Sequence, residues 1–108
     1  MTTLLALYRR PDGGEEALKG FERRYGAEHL PLVAETPGLR ATEVRRVSQA
    51  LGEDTDLVLI TAMHFDDRAS LDAGLASDAM RAAGRSLREI APGLATLLVL
   101  EDADDLSG

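Results

Sequence analysis

The sequence predicts an α+β fold, with one four-stranded antiparallel sheet and two helices on one of its faces. Four short apolar runs typical of strands are interleaved with two segments whose apolar residues recur at helical spacing. Their order along the chain is β, α, β, β, α, β, which is the order of the ferredoxin-like arrangement. The 108 residues are enough for one domain. We expect this domain to span residues 1–101, followed by an acidic tail over residues 102–108.

The first predicted strand and the first predicted helix are separated by a turn. Residues 3–8 form the apolar run of the strand, and the Pro-Asp-Gly-Gly sequence of residues 11–14 favours a turn after it. The helix is predicted from Glu15, because acidic residues suit the positive end of a helix dipole. Its apolar positions are Leu18, Phe21, Tyr25 and Leu32.

A proline determines where the first helix is expected to end. Pro31 has no N–H and disfavours helical geometry in the residue before it, so we expect the helix to stop or kink near His29. A further helical turn is expected from Pro31 to about Glu35. The Pro-Gly pair of residues 37–38 then ends it.

The second half begins with two predicted strands. Residues 40–50 mix β-branched and polar side chains, which predicts a half-exposed strand, and residues 52–56 form the hairpin loop. Residues 57–65 carry the strongest strand signal in the chain. Either Asp66 or Asp67 is expected to cap the second helix.

The second helix is predicted as one continuous element. Its apolar face consists of Leu71, Leu75, Ala79, Ala82, Ala83, Leu87 and Ile90. The Pro-Gly pair of residues 92–93 stops it, and residues 94–100 form the last predicted strand.

Three of the four predicted strands are apolar on both faces, within residues 4–7, 57–60 and 97–100. An antiparallel sheet with one face in water would alternate apolar and polar residues. Two helices cover one face only, and monomers rarely expose apolar patches larger than a few hundred Å². We therefore expect a homodimer in which the sheets of two copies pack together. The alternative is a loop folded over the sheet, for which no segment is long enough.

Composition argues against several classes of protein. The net charge is −7 and the basic residues are spread along the chain, which does not suit binding to nucleic acid. The chain has no cysteine, which excludes disulfides and thiolate metal sites. The apolar runs are too short to span a bilayer, and no basic stretch followed by an apolar one begins the chain. We expect no membrane partner and a cytoplasmic location.

Several segments together resemble the EthD family, named for a protein linked to degradation of ethyl tert-butyl ether. The most specific part runs from Tyr25 to Arg40. The segments that carry the resemblance are residues 10–14, Phe21, Tyr25, residues 28–32, residues 37–40, residues 64–66, Leu71, Leu75 and residues 77–78. The resemblance implies a dimeric α/β barrel, in which two ferredoxin-like sheets form the barrel. That superfamily includes cofactor-independent monooxygenases, muconolactone isomerases, polyketide cyclases and haem-degrading enzymes, so it implies a fold more firmly than a reaction.

His29 and Tyr25 are the candidate catalytic residues. Imidazole exchanges protons near neutral pH, and the resemblance places the His-x-Pro motif of His29 at the mouth of a pocket. Tyr25 lies one helical turn earlier, on the same face, where its phenol could bind a substrate oxygen. The alternatives are a His29 ring that caps the helix carbonyls and a Tyr25 ring that only packs in the core.

Four further residues are candidates for binding the substrate: Tyr8, Phe21, Arg40 and His64. Tyr8 and His64 lie at strand ends, Phe21 lies on the apolar face of the first helix, and Arg40 could bind an anionic group. The alternatives are a core or rim histidine at His64 and an ion pair at the dimer edge for Arg40.

The sequence predicts no metal and no cofactor. Two histidines without helical pairing give no recognisable ligand set, and no nucleotide-binding glycine motif is present. We expect a cofactor-independent enzyme, either a monooxygenase or an isomerase or cyclase. It would act on a small apolar aromatic or polyketide-like molecule in a pocket between the first helix and the sheet. The alternatives are a non-catalytic binding or accessory protein of a degradation pathway and a dimer without a pocket.

Overall fold

The computed structural model describes residues 1–106 and confirms the predicted order of elements. The antiparallel sheet has the strand order β2-β3-β1-β4, which is that of the ferredoxin-like fold. The elements are β1 (Thr2–Arg9), α1 (Gly14–Arg24), a π-helical turn (Tyr25–His29), α2 (Leu30–Val33), β2 (Leu39–Arg46), β3 (Leu57–Phe65), α3 (Arg68–Leu75), α4 (Asp78–Ile90) and β4 (Ala95–Glu101). Between residues 1 and 106, no helix is long and apolar enough to cross a membrane. The last two residues of the predicted acidic tail lie outside the described residues.

The two faces of the sheet differ in what covers them. Along β1, side chains alternate between a buried face under the helices, which includes Leu4 and Tyr8, and a half-buried face opposite, which includes Leu5 and Leu7. We call the second face the open face. Leu5 is paired there with Ala62 of β3 and with Leu98 of β4. No helix within residues 1–106 covers this largely apolar face.

Strand β2 is shorter than predicted, ending at Arg46 rather than at residue 50. Arg46 is paired with Leu59, and β3 begins only two residues earlier, at Leu57. A β2 that ran to residue 50 would therefore extend past the start of β3, where its backbone N–H and C=O groups would have no neighbouring strand to bond with.

The first helix kinks where Pro31 predicts, and the kink takes the form of a π-helical turn. The N–H of Leu30 donates to the carbonyl of Tyr25, five residues back. In an α-helix the ring of Pro31 would clash with the carbonyl four residues earlier. The wider turn accommodates that ring by inserting one extra residue, and the chain continues as α2.

The prediction of one continuous second helix is wrong, because the chain forms α3 and α4 instead. Asp67 caps α3 by accepting from the N–H of Ser70 at 2.8 Å. Ser77 then caps α4: its hydroxyl accepts from the N–H of Met80 at 3.2 Å and donates to the carbonyl of Gly74 at 2.6 Å. One side chain thus satisfies backbone groups of both helix ends, which favours the break.

Gly74 is packed too closely to tolerate a side chain. An added Cβ would lie 2.9 Å from Phe65 Cε2 and 3.2 Å from the carbonyl oxygen of Pro37. We expect Gly74→Ala to lower the free energy of unfolding by about 1–3 kcal/mol, the usual cost of overpacking. Urea unfolding measures this change.

Gly20 of α1 provides the matched control. A Cβ there would meet only the end of the Arg23 side chain, at 3.9 Å. Gly20→Ala should therefore stabilise the protein by up to about 1 kcal/mol through helix propensity. A Gly74→Ala protein as stable as the wild type would show that Phe65 and Pro37 move aside easily.

Candidate active site

A largely apolar cavity of about 160 Å³ lies between α4 and the helix-covered face of the sheet. Its wall combines sheet residues such as Leu4 and Met63 with Ala83 of α4. Two polar side chains, His29 and Tyr8, also line it. We call this space the His29 cavity. The sequence predicts a pocket between the first helix and the sheet. No residue of α1 lines the cavity, whereas the π-helical turn and α2 contribute His29 and Val33 and α4 forms much of the wall.

His29 is the last residue of the π-helical turn and is only 5% exposed. Its Nδ1 atom is buried and has no hydrogen-bond partner within residues 1–106. Burial lowers the pKa of His29, and a weaker interaction with the backbone of Ala83 opposes that shift. The imidazole is therefore neutral at pH 7 and can accept a proton.

Three buried hydroxyls form a network beside His29. The hydroxyl of Tyr25 donates to that of Tyr8 at 3.0 Å and lies 2.6 Å from Oγ1 of Thr61. Burial raises the pKa of Tyr8 far above its usual value, and Tyr25 adds to that effect. The pKa of Tyr25 is also raised by burial, while its bonds to Thr61 and Tyr8 act in the opposite direction. Both phenols therefore keep their protons at neutral pH.

The aromatic candidates are packed against one another. The ring of Tyr25 lies 5.0 Å from that of His29 and 4.9 Å from that of Tyr8, between centroids. Phe21 packs on both tyrosines, at 5.7 and 5.6 Å, and is not among the residues that line the His29 cavity. The structure therefore places Tyr8 and His29 at one cavity, with Tyr25 and Phe21 behind them.

Tyr25 lines a different depression, between the π-helical turn and strands β2 and β3. Its volume is about 220 Å³. At its rim, Arg46 Nε donates to Glu22 Oε1 at 3.0 Å. The Tyr25 phenol is engaged with Tyr8 and Thr61 and is not part of the His29 cavity.

Arg40 and His64 do not reach the His29 cavity. Arg40 makes an exposed ion pair with Asp66 within the chain, at 2.7 Å. His64 lies on the open face, where its Nδ1 is 2.9 Å from Thr3 Oγ1 and its Nε2 is 2.6 Å from Glu43 Oε1. The sheet therefore separates His64 from His29.

Thr61 is the network residue that sequence reasoning missed. It is fully buried at 0% exposure, on the same face of β3 as Met63 and Phe65. A signal was present, because a lone threonine among apolar residues on the buried face of a strand needs a hydrogen-bond partner.

Comparison with solved structures shows which family the chain represents. An EthD family protein from Bacillus halodurans superposes with a TM-score of 0.84 and is 30% identical, with 94% of this chain and 98% of that chain covered. The chain belongs to the EthD family. The resemblance carried by residues 10–40 and 64–78 is thereby confirmed.

More distant structures share only the fold with this EthD family protein. A dimeric protein of unknown function and ferredoxin-like fold from Bacteroides fragilis is 20% identical, with a TM-score of 0.65 and coverage of 94% and 95%. SnoaB, a cofactor-independent oxygenase from Streptomyces nogalater, is 15% identical, with a TM-score of 0.60 and coverage of 94% and 92%. The chain matches no family model, and it matches no curated protein.

The described part of the EthD protein contains no cluster of potential metal ligands. Among residues 1–106, no three His, Cys, Asp or Glu side chains lie close enough together to hold a metal ion. The two histidines lie on opposite faces of the sheet, which excludes a shared ligand set.

The buried His29 should make the stability of the EthD protein depend on pH. Because its pKa is lowered from 6.5 on folding, the unfolded chain binds a proton near pH 6.5 while the folded chain does not. The contribution of His29 to the free energy of unfolding is therefore fully present above pH 6.5. It falls as the pH drops below 6.5, by at most about 1.4 kcal/mol per pH unit for one proton. Urea unfolding between pH 7.5 and 5.5, at one protein concentration, should show a smaller loss for His29→Gln. Parallel pH profiles for both proteins would contradict this origin.

Proposed function

We propose that this EthD family protein is a cofactor-independent enzyme that binds a small apolar molecule in the His29 cavity and uses His29 as a general base. The observation that carries the proposal is the neutral imidazole of His29 in the wall of a largely apolar cavity, with a buried Nδ1 atom that has no hydrogen-bond partner within residues 1–106. Buried polar atoms nearly always have partners, and one without a partner costs about 1–3 kcal/mol. Such a cost is expected where a substrate supplies the missing partner.

The chemistry begins with removal of a proton from the bound molecule. The neutral imidazole accepts it, and the electron pair of the broken bond stays on the substrate as an enolate or phenolate. That anion then adds to molecular oxygen to form a peroxide, which loses water and leaves one oxygen atom on the substrate as a carbonyl. Alternatively, it is reprotonated at another carbon or attacks a carbonyl of the same molecule. These outcomes correspond to a monooxygenase, an isomerase and a cyclase. SnoaB, a cofactor-independent oxygenase that shares the fold, supports the first.

A second candidate function is binding without catalysis. Apart from Tyr8 and His29, the cavity wall is apolar, and it includes Leu4, Val33 and Met63. Such a wall favours the uptake of an apolar ligand through burial alone. In that case His29 would bind its ligand without moving a proton.

We also propose that the protein is a homodimer that pairs its open faces. Leu98 and Leu100 of β4 are 42% and 41% exposed in the single chain, and Leu98 is paired with Leu5 of β1 on the open face. Exposed apolar surface of this kind marks an interface. The dimeric structure from Bacteroides fragilis supports a second copy as the occupant.

Exchange of carbon-bound protons tests the catalytic proposal without knowledge of the natural substrate. Cyclohexanone, a single-ring ketone, is incubated with the protein in D₂O, and loss of its α-proton signals is followed by NMR. We expect faster exchange than with free imidazole at the same concentration. If single-ring ketones bind in the cavity but exchange no faster than with imidazole, the binding-only function is correct.

A further inference from the structure

The direction of the hydrogen bonds in the buried network determines which hydroxyl has a free proton. Each hydroxyl carries one proton. The Tyr25 hydroxyl donates its proton to Tyr8 at 3.0 Å. Its second contact, at 2.6 Å from Thr61 Oγ1, must then be one in which Thr61 donates. The chain of donors runs from Thr61 to Tyr25 to Tyr8.

Tyr8 is therefore the end of this chain and retains an unused donor. Its oxygen accepts from Tyr25, and within residues 1–106 the Tyr8 hydroxyl has no other hydrogen-bond partner. Tyr8 lines the His29 cavity, whereas Tyr25 and Thr61 do not. Because burial raises the pKa of Tyr8, the phenol keeps this proton at any physiological pH.

We propose that Tyr8 donates a hydrogen bond to an oxygen of the bound molecule, and that the His29 cavity selects single-ring carbonyl compounds. The proposal rests on the proposed function in taking this cavity as the binding site. It follows from one free donor in a wall that is otherwise apolar except for His29. Donors in a chain polarise one another, so the terminal donor is strengthened by Tyr25 and Thr61.

The volume of the cavity sets the size of the ligand. At about 160 Å³ it is close to apolar cavities of about 150 Å³ that hold benzene. It is smaller than the pockets of about 300–1,000 Å³ that hold drug-sized ligands. A single ring with one oxygen matches this volume, which a fused polyketide ring system exceeds.

The Tyr8 hydroxyl and the His29 imidazole have different roles in the proposed reaction. The carbonyl oxygen lies at Tyr8, and the neighbouring carbon presents its proton to His29. The C–H bond breaks, an N–H bond forms on the imidazole, and the electron pair moves to the carbonyl oxygen, which becomes an enolate held by the Tyr8 proton. Tyr8 thus stabilises the charge that His29 creates.

A matched pair of probes isolates the role of the oxygen. Cyclohexanone and methylenecyclohexane have nearly the same shape, but only the first has an acceptor. We expect Tyr8→Phe to weaken binding of cyclohexanone about fivefold, the effect of one neutral hydrogen bond, and binding of methylenecyclohexane less than twofold. NMR titration of the full chain measures both. Equal changes for the two probes would overturn the proposal.

Tyr25→Phe is the control for the loss of the network itself. It removes the same Tyr8–Tyr25 hydrogen bond but leaves the Tyr8 proton available. The preference for cyclohexanone should fall less in this variant than in Tyr8→Phe, because Tyr25 polarises the donor and Tyr8 supplies it. If Tyr25→Phe abolishes the preference as fully as Tyr8→Phe does, Tyr8 is not the donor.

Infrared spectroscopy tests the donor in the wild-type protein, independently of whether a variant folds. The C=O stretch of bound ¹³C-labelled cyclohexanone should lie below its position in an apolar solvent. An unshifted band would overturn the proposal, as would a shift fully retained in Tyr8→Phe. If binding of cyclohexanone depends on Tyr8 but its α-protons do not exchange, this inference holds and the proposed catalytic function is excluded.

Discussion

Replacing His29 by glutamine is expected to lower the rate of α-proton exchange by about 10²–10⁴-fold. Glutamine fills part of the same volume and keeps hydrogen-bonding atoms, but its amide does not accept a proton near neutral pH. Among the described residues that line the cavity, only His29 has a side chain that accepts a proton near neutral pH. Exchange of cyclohexanone protons in D₂O, followed by NMR, measures the effect.

His64→Gln is the matched control for that experiment. His64 lies on the open face, bonded to Thr3 and Glu43, and the sheet separates it from the cavity. Its replacement should leave exchange unchanged within about twofold, since the sheet keeps this side chain away from a molecule bound in the His29 cavity. Exchange that is unaffected in His29→Gln, with cyclohexanone still bound, would exclude His29 as the base.

Leu5→Asp is expected to convert the dimer into monomers at micromolar concentration. Leu5 lies on the central strand β1, between Ala62 and Leu98 on the open face. Pairing two such faces would bury one new carboxylate from each copy, and an unpaired buried charge costs about 3–5 kcal/mol. Two of them would raise the dissociation constant by at least about 10⁴-fold. Sedimentation velocity measures the change.

Leu51→Asp provides the same chemical change away from the open face. Leu51 lies in the loop between β2 and β3 and is 86% exposed. This variant should remain dimeric. A wild-type protein that sediments as a monomer at the same concentration would remove the dimer from the proposal, and so would a Leu5→Asp protein that stays dimeric.

Much of the fold was predictable because each strand carries its own signal. Residues 57–65 are almost continuously apolar and are bounded by acidic residues, and β3 has these same limits. The break between α3 and α4 was missed because apolar residues continue at helical spacing across it, from Leu71 to Ala83. The Ser77-Asp78 pair is a typical helix start and was the better signal there.

The candidate site was only partly predictable. Pro31 indicates a kink near His29, but the sequence does not show that the kink is a π-helical turn. Helical spacing correctly places Tyr25 beside His29, since their rings lie 5.0 Å apart. Which cavity each ring lines depends on how α4 and β2 pack against the helix, and those contacts are long-range.

The π-helical turn determines the direction, around the helix axis, in which the imidazole of His29 points. An α-helix advances about 100° per residue, so one residue fewer between Tyr25 and His29 would rotate everything beyond it by roughly that angle. The ring that now faces the inside of the protein would point sideways, and α2 would begin in a different direction. The register of a single turn, rather than the identity of one side chain, thus decides whether this helix presents a base to the interior.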